Sequence, residues 1–288
     1  MRACQPTVQD TVERDGVGIF YEVYGDGETT VLMLPTWSII HSRCWKLQVP
    51  YLARYYRVIT FDPRGNGRSG RPAGPEAYGE GEFAADALAV LDATGTEHAV
   101  LVGFSMGAQR GLLLAAEHPK RVTGAVFIGS AVPLAPVLPR AAWVDDFSMR
   151  RDFYQGWDKF NRHYWVSDYE DFLEFFFAEL CNEAHSTKQR EDAVAWGLDT
   201  DPETLVATQF GARVDTDELR ALAARVCCPV LVIHGTDDAI RPYESGAAYA
   251  DLFGGALVLL KGSGHAPHAR DPVKVNLLIK QFADRVRR

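Results

Sequence analysis

The chain has 288 residues, of which 47% are hydrophobic, and its 30 basic and 38 acidic side chains give a formal net charge of −8. This composition supports a large packed core and excludes a disordered chain, while the acidic balance disfavours nucleic acid as a partner. No apolar stretch approaches the roughly 20 residues of a membrane helix, and the first residues lack the pattern of a signal peptide. We therefore expect a cytoplasmic protein that does not enter membranes.

Strands and helices alternate along most of the chain, which is typical of parallel sheets whose strands are joined by helices. The first two strands, 11–16 and 17–24, are separated by the turn signal Asp15-Gly16. Six apolar runs predict the remaining strands, at 30–34, 57–61, 98–102, 122–128, 229–235 and 256–260. Helices are predicted at about 42–54, 82–94, 107–118 and 243–252, and from about 272 onward.

The alternation is interrupted between residues 134 and 226, where no strand pattern occurs and aromatic residues are frequent. The segment 169–180 has apolar residues at helical spacing, and its run of phenylalanines exceeds one helix face. These features predict an inserted helical cap. An apolar cavity is expected beneath it.

The five cysteines are odd in number and lack the spacing of metal ligands. Adjacent Cys227 and Cys228 cannot bridge without strain, so we expect reduced thiols. No metal site is predicted.

Residues 103–107 read Gly-Phe-Ser-Met-Gly and follow an apolar strand directly. A serine at such a strand-to-helix turn is strained, and small neighbours let strand and helix pass closely. The hydroxyl of Ser105 would project above the sheet, and the Met106 amide would point toward an oxyanion. The motif therefore predicts a nucleophile.

Two further polar groups follow later strands. Asp237 and Asp238 come after the run 229–235, and His265 lies in a glycine-containing turn after the run 256–260. The carboxyl ends of strands in such sheets carry ligand sites. The chain order serine, aspartate, histidine predicts a catalytic triad.

With residues 61–69 (Phe-Asp-Pro-Arg-Gly-Asn-Gly-Arg-Ser), 234–242 (His-Gly-Thr-Asp-Asp-Ala-Ile-Arg-Pro) and 264–268 (Gly-His-Ala-Pro-His), these motifs resemble α/β-hydrolase-fold serine hydrolases. The branch includes esterases, lactonases, haloperoxidase-like perhydrolases and carbon–carbon bond hydrolases. The resemblance implies an α/β fold with a mostly parallel eight-stranded sheet flanked by helices. It implies a core of residues 1–133 and 227–288 and a cap of residues 134–226.

The resemblance also implies residue roles. Asp238, rather than Asp237, is the acid, because the family's acid is followed by three residues and then a proline, here Pro242. His234 would hold the acid loop, and His268 is expected to be structural.

The oxyanion loop departs from the family pattern. Relatives carry His-Gly after the third strand, where this chain has Pro35-Thr36-Trp37. The alignment places the donating amide at Trp37, with Met106 as the second donor, and the alternative donor is Thr36. We also interpret Asp62 and Arg64 as an ion pair that shapes their loop.

These observations predict a metal-free and cofactor-free serine hydrolase for a small to medium, largely apolar, neutral ester or lactone. Trp37, Phe147, Trp165 and Phe176 are the expected substrate-binding residues. The alternatives are a carbon–carbon bond hydrolase, a perhydrolase, or a receptor-like ligand-binding protein with weak hydrolase activity. The oligomeric state stays open, a homodimer included. Haloalkane dehalogenases and epoxide hydrolases are disfavoured, because those relatives have an aspartate where Ser105 stands.

Overall fold

The computed structural model describes residues 4–134 and 146–286, and these contain one eight-stranded sheet with the strand order β1-β2-β4-β3-β5-β6-β7-β8. The strands are β1 (Val8–Arg14), β2 (Val17–Tyr24), β3 (Thr30–Leu34), β4 (Arg57–Phe61), β5 (Ala99–Phe104), β6 (Val122–Ile128), β7 (Val230–Gly235) and β8 (Ala256–Leu260). Strand β2 pairs antiparallel with β1 and β4, whereas the other neighbours are parallel. The expected mostly parallel sheet is confirmed.

The hairpin that opens the chain forms at the predicted turn. Asp15 and Gly16 have φ angles of 50° and 78°, which a tight two-residue hairpin turn requires at both positions. Strand β1 starts at Val8 rather than Thr11, because its pairing with β2 continues as far as Val23.

Helices cover both faces of the sheet. Because successive strand residues point to opposite faces, Val31 shares one hydrophobic cluster with Val275, and Leu32 shares another with Leu112. The helices are α1 (Val49–Leu52), α2 (Glu80–Ala93), α3 (Gly107–Glu117), α4 (Arg162–Ser167), α5 (Tyr169–Leu180), α6 (Thr187–Gly197), α7 (Pro202–Gln209), α8 (Thr216–Ala223), α9 (Tyr243–Leu252), α10 (Pro267–Arg270) and α11 (Pro272–Arg285). None of these described helices is both long and apolar enough to cross a bilayer.

The prediction of one helix over 42–54 is wrong. The segment forms a 3-10 turn at Ser42–Trp45 and the short helix α1. Pro50 lies in the first turn of α1, where its missing N–H is harmless, whereas in a helix interior it would break the hydrogen-bond ladder.

The region predicted as the inserted cap contains helices α4 to α8 and no strand among the residues described from 146 to 226. Residues 135–145, near the start of the predicted cap, lie outside the described residues. Helix α8 packs differently from the other insertion helices, because its Leu219 and Leu222 share the cluster that contains Leu112 of α3. The aromatic side chains of α4 and α5 instead belong to the cluster on the opposite face of the sheet.

Candidate active site

Ser105 lies at a sharp turn between β5 and α3, with φ of 53° in the left-handed region. Glycine is needed on both sides of the turn, since a Cβ on Gly103 would lie 2.4 Å from the Gly107 carbonyl oxygen, and one on Gly107 would lie 2.8 Å from the Pro35 oxygen. The Ser105 amide donates to the Ile128 carbonyl over 2.9 Å. The strained conformation is thus held by close packing and by β6.

The structure brings the three predicted triad residues together from separate strand ends. His265 Nε2 lies 3.0 Å from Ser105 Oγ, and His265 Nδ1 lies 2.7 Å from Asp238 Oδ2. All three residues are buried. A carboxylate can only accept, so Nδ1 carries the proton and Nε2 is free to accept from the serine hydroxyl.

Asp238 is fixed on both of its oxygens. Oδ1 accepts the amides of Ile240 at 2.7 Å and Arg241 at 2.8 Å, while Oδ2 lies 2.9 Å from His234 Nε2 as well as next to His265. Burial would raise the pKa of the Asp238 carboxyl, but the two imidazoles outweigh burial and hold that pKa well below its usual range. The carboxylate is therefore ionised at neutral pH.

Asp237 and His268 are directed elsewhere. Asp237 is exposed, and its carboxylate accepts from the Thr236 hydroxyl. The His268 ring is buried between Phe104, at a centroid distance of 4.4 Å, and Trp45, at 4.9 Å. Burial, helped by the charge of nearby His265, lowers the pKa of His268 to about 3, so this ring is neutral.

The backbone amides of the two predicted oxyanion donors are unpaired. In the described part of the chain, neither the Trp37 N–H nor the Met106 N–H has a protein acceptor. Met106 is the N-cap residue of α3, where the helix dipole favours negative charge. Both residues proposed from the sequence as oxyanion donors thus have an available N–H.

The predicted ion pair between Asp62 and Arg64 is wrong. Asp62 accepts from the Ser42 hydroxyl at 2.5 Å and the Arg68 amide at 2.9 Å. The Arg64 guanidinium makes two parallel hydrogen bonds of 2.7 Å to Asp86 of α2. The Ser42 hydroxyl and the Arg68 amide already satisfy the Asp62 carboxylate. The planar guanidinium of Arg64 instead pairs with a carboxylate to which it can donate from two nitrogens.

The four expected substrate-binding residues lie in one aromatic group. The Trp37 ring has centroid distances of 5.5 Å to Phe176 and 5.7 Å to Trp165, and Phe147 lies 4.8 Å from Trp165. The Trp37 indole donates to the Thr208 hydroxyl at 2.7 Å. Trp37 and Phe176 keep 7% of their surface exposed, whereas Trp165 keeps none.

Sequence reasoning missed two sets of residues around this site. Buried Arg110 of α3 donates to the carbonyl oxygens of Pro35 and Thr36. The sequence feature that could have marked Arg110 is that it is the one charged residue between positions 107 and 116. Asn182 and Glu183 follow α5 and bond to the two loops that carry Asp238 and His265; no sequence motif marks them.

The described residues contain no group of three or more His, Cys, Asp or Glu side chains suited to a metal ion. All five cysteines are free, as expected.

The family model for the alpha/beta hydrolase fold matches residues 29–272. The AB hydrolase superfamily protein YisY of Bacillus subtilis is 27% identical over 283 residues, which cover 93% of this chain and 96% of that protein. The solved structure of a bromoperoxidase from Bacillus anthracis is similar with a TM-score of 0.81 and 24% identity, covering 96% of this chain and 100% of that chain. The esterase RhEst1 from Rhodococcus sp. is similar with a TM-score of 0.77 and 25% identity, covering 97% and 99% of the two chains. This chain therefore belongs to the alpha/beta hydrolase fold family.

Proposed function

We propose that the protein hydrolyses carboxylic esters or lactones through an acyl-enzyme on Ser105. The observation that carries the proposal is the unbroken hydrogen-bonded row from Ser105 through His265 to Asp238. The two backbone amides that we assign to the oxyanion, of Trp37 and Met106, have no acceptor among the described residues. Similarity to the esterase RhEst1 supports the same reaction class.

In the proposed reaction, the Ser105 hydroxyl attacks the acyl carbon while its proton moves to His265 Nε2. Asp238 keeps the other ring proton on Nδ1 and stabilises the imidazolium. The amides of Trp37 and Met106 bind the oxyanion of the tetrahedral intermediate. His265 then returns the proton to the leaving alkoxide, and water hydrolyses the acyl-enzyme with the same histidine as base.

The substrate would be neutral and largely apolar. Aromatic side chains from α4 and α5 pack around Trp37, whose own amide is a proposed oxyanion donor, so the acyl group would meet an apolar wall. Trp37 and Phe176, which retain exposed surface, are the best candidates for that wall. Contact of Phe147 and Trp165 with substrate stays a prediction. We propose that the helices α4 to α7 form the cap, while α8, which packs on α3, belongs with the core.

The alternatives use the same triad. Carbon–carbon hydrolysis and perhydrolysis would also begin at Ser105. The similarity to the bromoperoxidase supports a shared fold and does not favour one of these reactions. The receptor-like alternative depended on the unusual Pro35-Thr36 loop alone. The available N–H of Trp37 supports an enzyme instead.

The test is turnover of p-nitrophenyl esters of graded acyl length and of simple lactones by wild type and Ser105→Ala. The wild type should turn over short to medium esters, and Ser105→Ala should lose on the order of 10⁴- to 10⁶-fold in kcat. A fluorophosphonate should add to Ser105 in the wild type, as located by peptide mass spectrometry. The matched control is Ser263→Ala, which removes another buried hydroxyl and should keep full activity. Hydrolysis by Ser105→Ala at the wild-type rate would refute the proposal.

A further inference from the structure

We propose that Arg110 is a positioning residue that sets the oxyanion-binding amide of Trp37, an inference that rests on the proposed function. The loop concerned has threonine at position 36, where the family resemblance implies glycine. Arg110 holds this loop from inside α3, five residues after the nucleophile.

The Arg110 guanidinium is fixed on several sides. Its Nη1 donates to the carbonyl oxygen of Thr36 and, at 3.3 Å, to that of Pro35. Its Nε donates to Glu80 at 3.0 Å, and its Cζ lies 3.5 Å from the ring centroid of Phe83. The side chain is 1% exposed, so no solvent competes for these donors.

The bond to Thr36 determines where the next amide points. In a trans peptide unit the C=O of one residue and the N–H of the next point in opposite directions. Holding the Thr36 oxygen on Arg110 therefore turns the Trp37 N–H away from Arg110. That N–H has no acceptor in the described residues, as expected of a donor kept for a ligand.

The same ionic group reaches the second proposed donor and the inserted region. Arg213 donates to the other oxygen of Glu80 at 2.8 Å, and the same nitrogen lies 3.6 Å from the Met106 sulfur. Arg213 also donates to the Thr208 carbonyl at 2.7 Å, and the hydroxyl of Thr208 accepts from the Trp37 indole. The Arg110–Glu80–Arg213 group thus contacts Met106 directly and reaches Trp37 through two of its neighbours, Thr36 and Thr208.

A buried ionic group is a poor source of stability, since apolar residues of similar volume are often at least as stabilising. The guanidinium donates from Nη1 to two successive carbonyl oxygens and from Nε to Glu80 at the same time, which an apolar side chain cannot do. Lysine would supply only a compact charge at this place. The buried ionic group therefore serves to fix the geometry of the oxyanion loop and not to stabilise the fold.

The experiment compares Arg110→Met and Arg110→Lys with the wild type, with kcat expressed per site titrated by a fluorophosphonate. Arg64→Met is the matched control, because Arg64 is 2% exposed, bonds twice to a buried carboxylate and also donates to a backbone carbonyl. It makes no contact with the 35–37 loop among the described hydrogen bonds.

Arg110→Met should lower kcat per titrated site by about 10- to 100-fold, somewhat less than the loss of a whole oxyanion donor. The KM and the midpoint of the pH profile of kcat/KM should stay unchanged, because the triad is untouched. Arg110→Lys should fall between Arg110→Met and wild type, and Arg64→Met should lower the melting temperature without lowering kcat per site.

A wild-type kcat per site in Arg110→Met would overturn the inference, and so would an equal loss in Arg64→Met or a shifted pH midpoint. If Arg110→Met does not fold, the partial loss in Arg110→Lys decides. If the wild type turns over no ester, the proposed function fails. The rate of phosphonylation of Ser105 then still tests Arg110, because that attack forms the same kind of oxyanion.

Discussion

The ring of His234 lies against the carboxylate of Asp238, with 2.9 Å between Nε2 and Oδ2. The same nitrogen lies 3.2 Å from the Arg241 carbonyl oxygen, so both of its neighbours are acceptors and it carries the proton. Helix α9 packs against the other side of the His234 ring, where a Cβ on Gly246 would lie 2.3 Å from Nδ1. His234 therefore anchors the acid without facing the nucleophile.

The first prediction separates the two adjacent aspartates. Asp238→Asn should reduce kcat on the order of 10⁴-fold, because an amide that donates to Nδ1 would shift the proton of His265 to Nε2. Asp237→Asn is the control and should leave kcat near wild type, since Asp237 is exposed and, among the described residues, its carboxylate bonds only to the neighbouring Thr236 hydroxyl. Steady-state kinetics on one p-nitrophenyl ester is the measurement. Equal losses, or a larger loss in Asp237→Asn, would contradict the assignment of the acid.

The second prediction concerns His268 and acid stability. In the folded protein burial lowers the pKa of this ring to about 3, whereas the unfolded ring titrates near 6.5. Between these two values the unfolded chain binds a proton that the native ring excludes. The contribution of His268 to stability is thus complete above pH 6.5 and is lost as the pH falls toward the folded pKa.

His268→Gln should therefore flatten the fall of the unfolding free energy below pH 6.5, by up to about 1.4 kcal/mol per pH unit. Urea titrations at several pH values between 7 and 4.5 measure it. Exposed His185 supplies the control, since His185→Gln should leave the slope as in the wild type. Parallel curves for His268→Gln and wild type would show that the native ring does take up the proton.

The third prediction concerns the join between the insertion and the catalytic loops. Glu183 accepts the Gly264 amide at 2.7 Å, and Asn182 donates to the Asp237 carbonyl at 2.9 Å. Glu183→Ala should lower kcat on the order of 10-fold, because small displacements of a catalytic base reduce rates strongly. Glu183→Gln keeps an acceptor oxygen and should retain most activity.

Glu174→Ala, an exposed change on helix α5, serves as the control for charge in the Glu183 series. Kinetics on one ester and melting temperatures of all three variants are compared. A loss in Glu183→Gln as large as in Glu183→Ala would mean that charge, and not the bond to Gly264, matters.

The fourth prediction concerns acyl length. Phe176→Ala should move the preferred p-nitrophenyl ester to a longer acyl chain, because one methylene that does not fit costs roughly 1 to 3 kcal/mol in a closed pocket. Ratios of kcat/KM across the ester series give the profile. Phe172 is fully buried and packs 4.5 Å from Trp165, so Phe172→Ala should lower stability without moving the profile. An unchanged profile in Phe176→Ala would remove that side chain from the pocket wall.

The local features of this protein follow directly from neighbouring residues in the sequence. The Asp15-Gly16 turn, the buried strands and the strand–turn–helix context of Ser105 depend on residues that are adjacent in the chain. The order of Ser105, Asp238 and His265 predicted which side chains would meet, because parallel strands end at one edge of the sheet. The segment 42–54 does not form one helix, because Pro50 is tolerated only in the first turn of a helix and not in its interior.

The partners of long charged side chains were decided only by tertiary structure. Arg64 could have paired with Asp62, two residues away, yet it reaches Asp86 on α2. The bond from Arg110 to the 35–37 loop spans about 75 residues of sequence and has no local pattern. A guanidinium on a flexible stem takes whichever acceptors the packed elements place within reach, and only folding determines those. The sequence by itself thus determined the sheet and the three residues of the triad, and the tertiary structure decided what holds them in place.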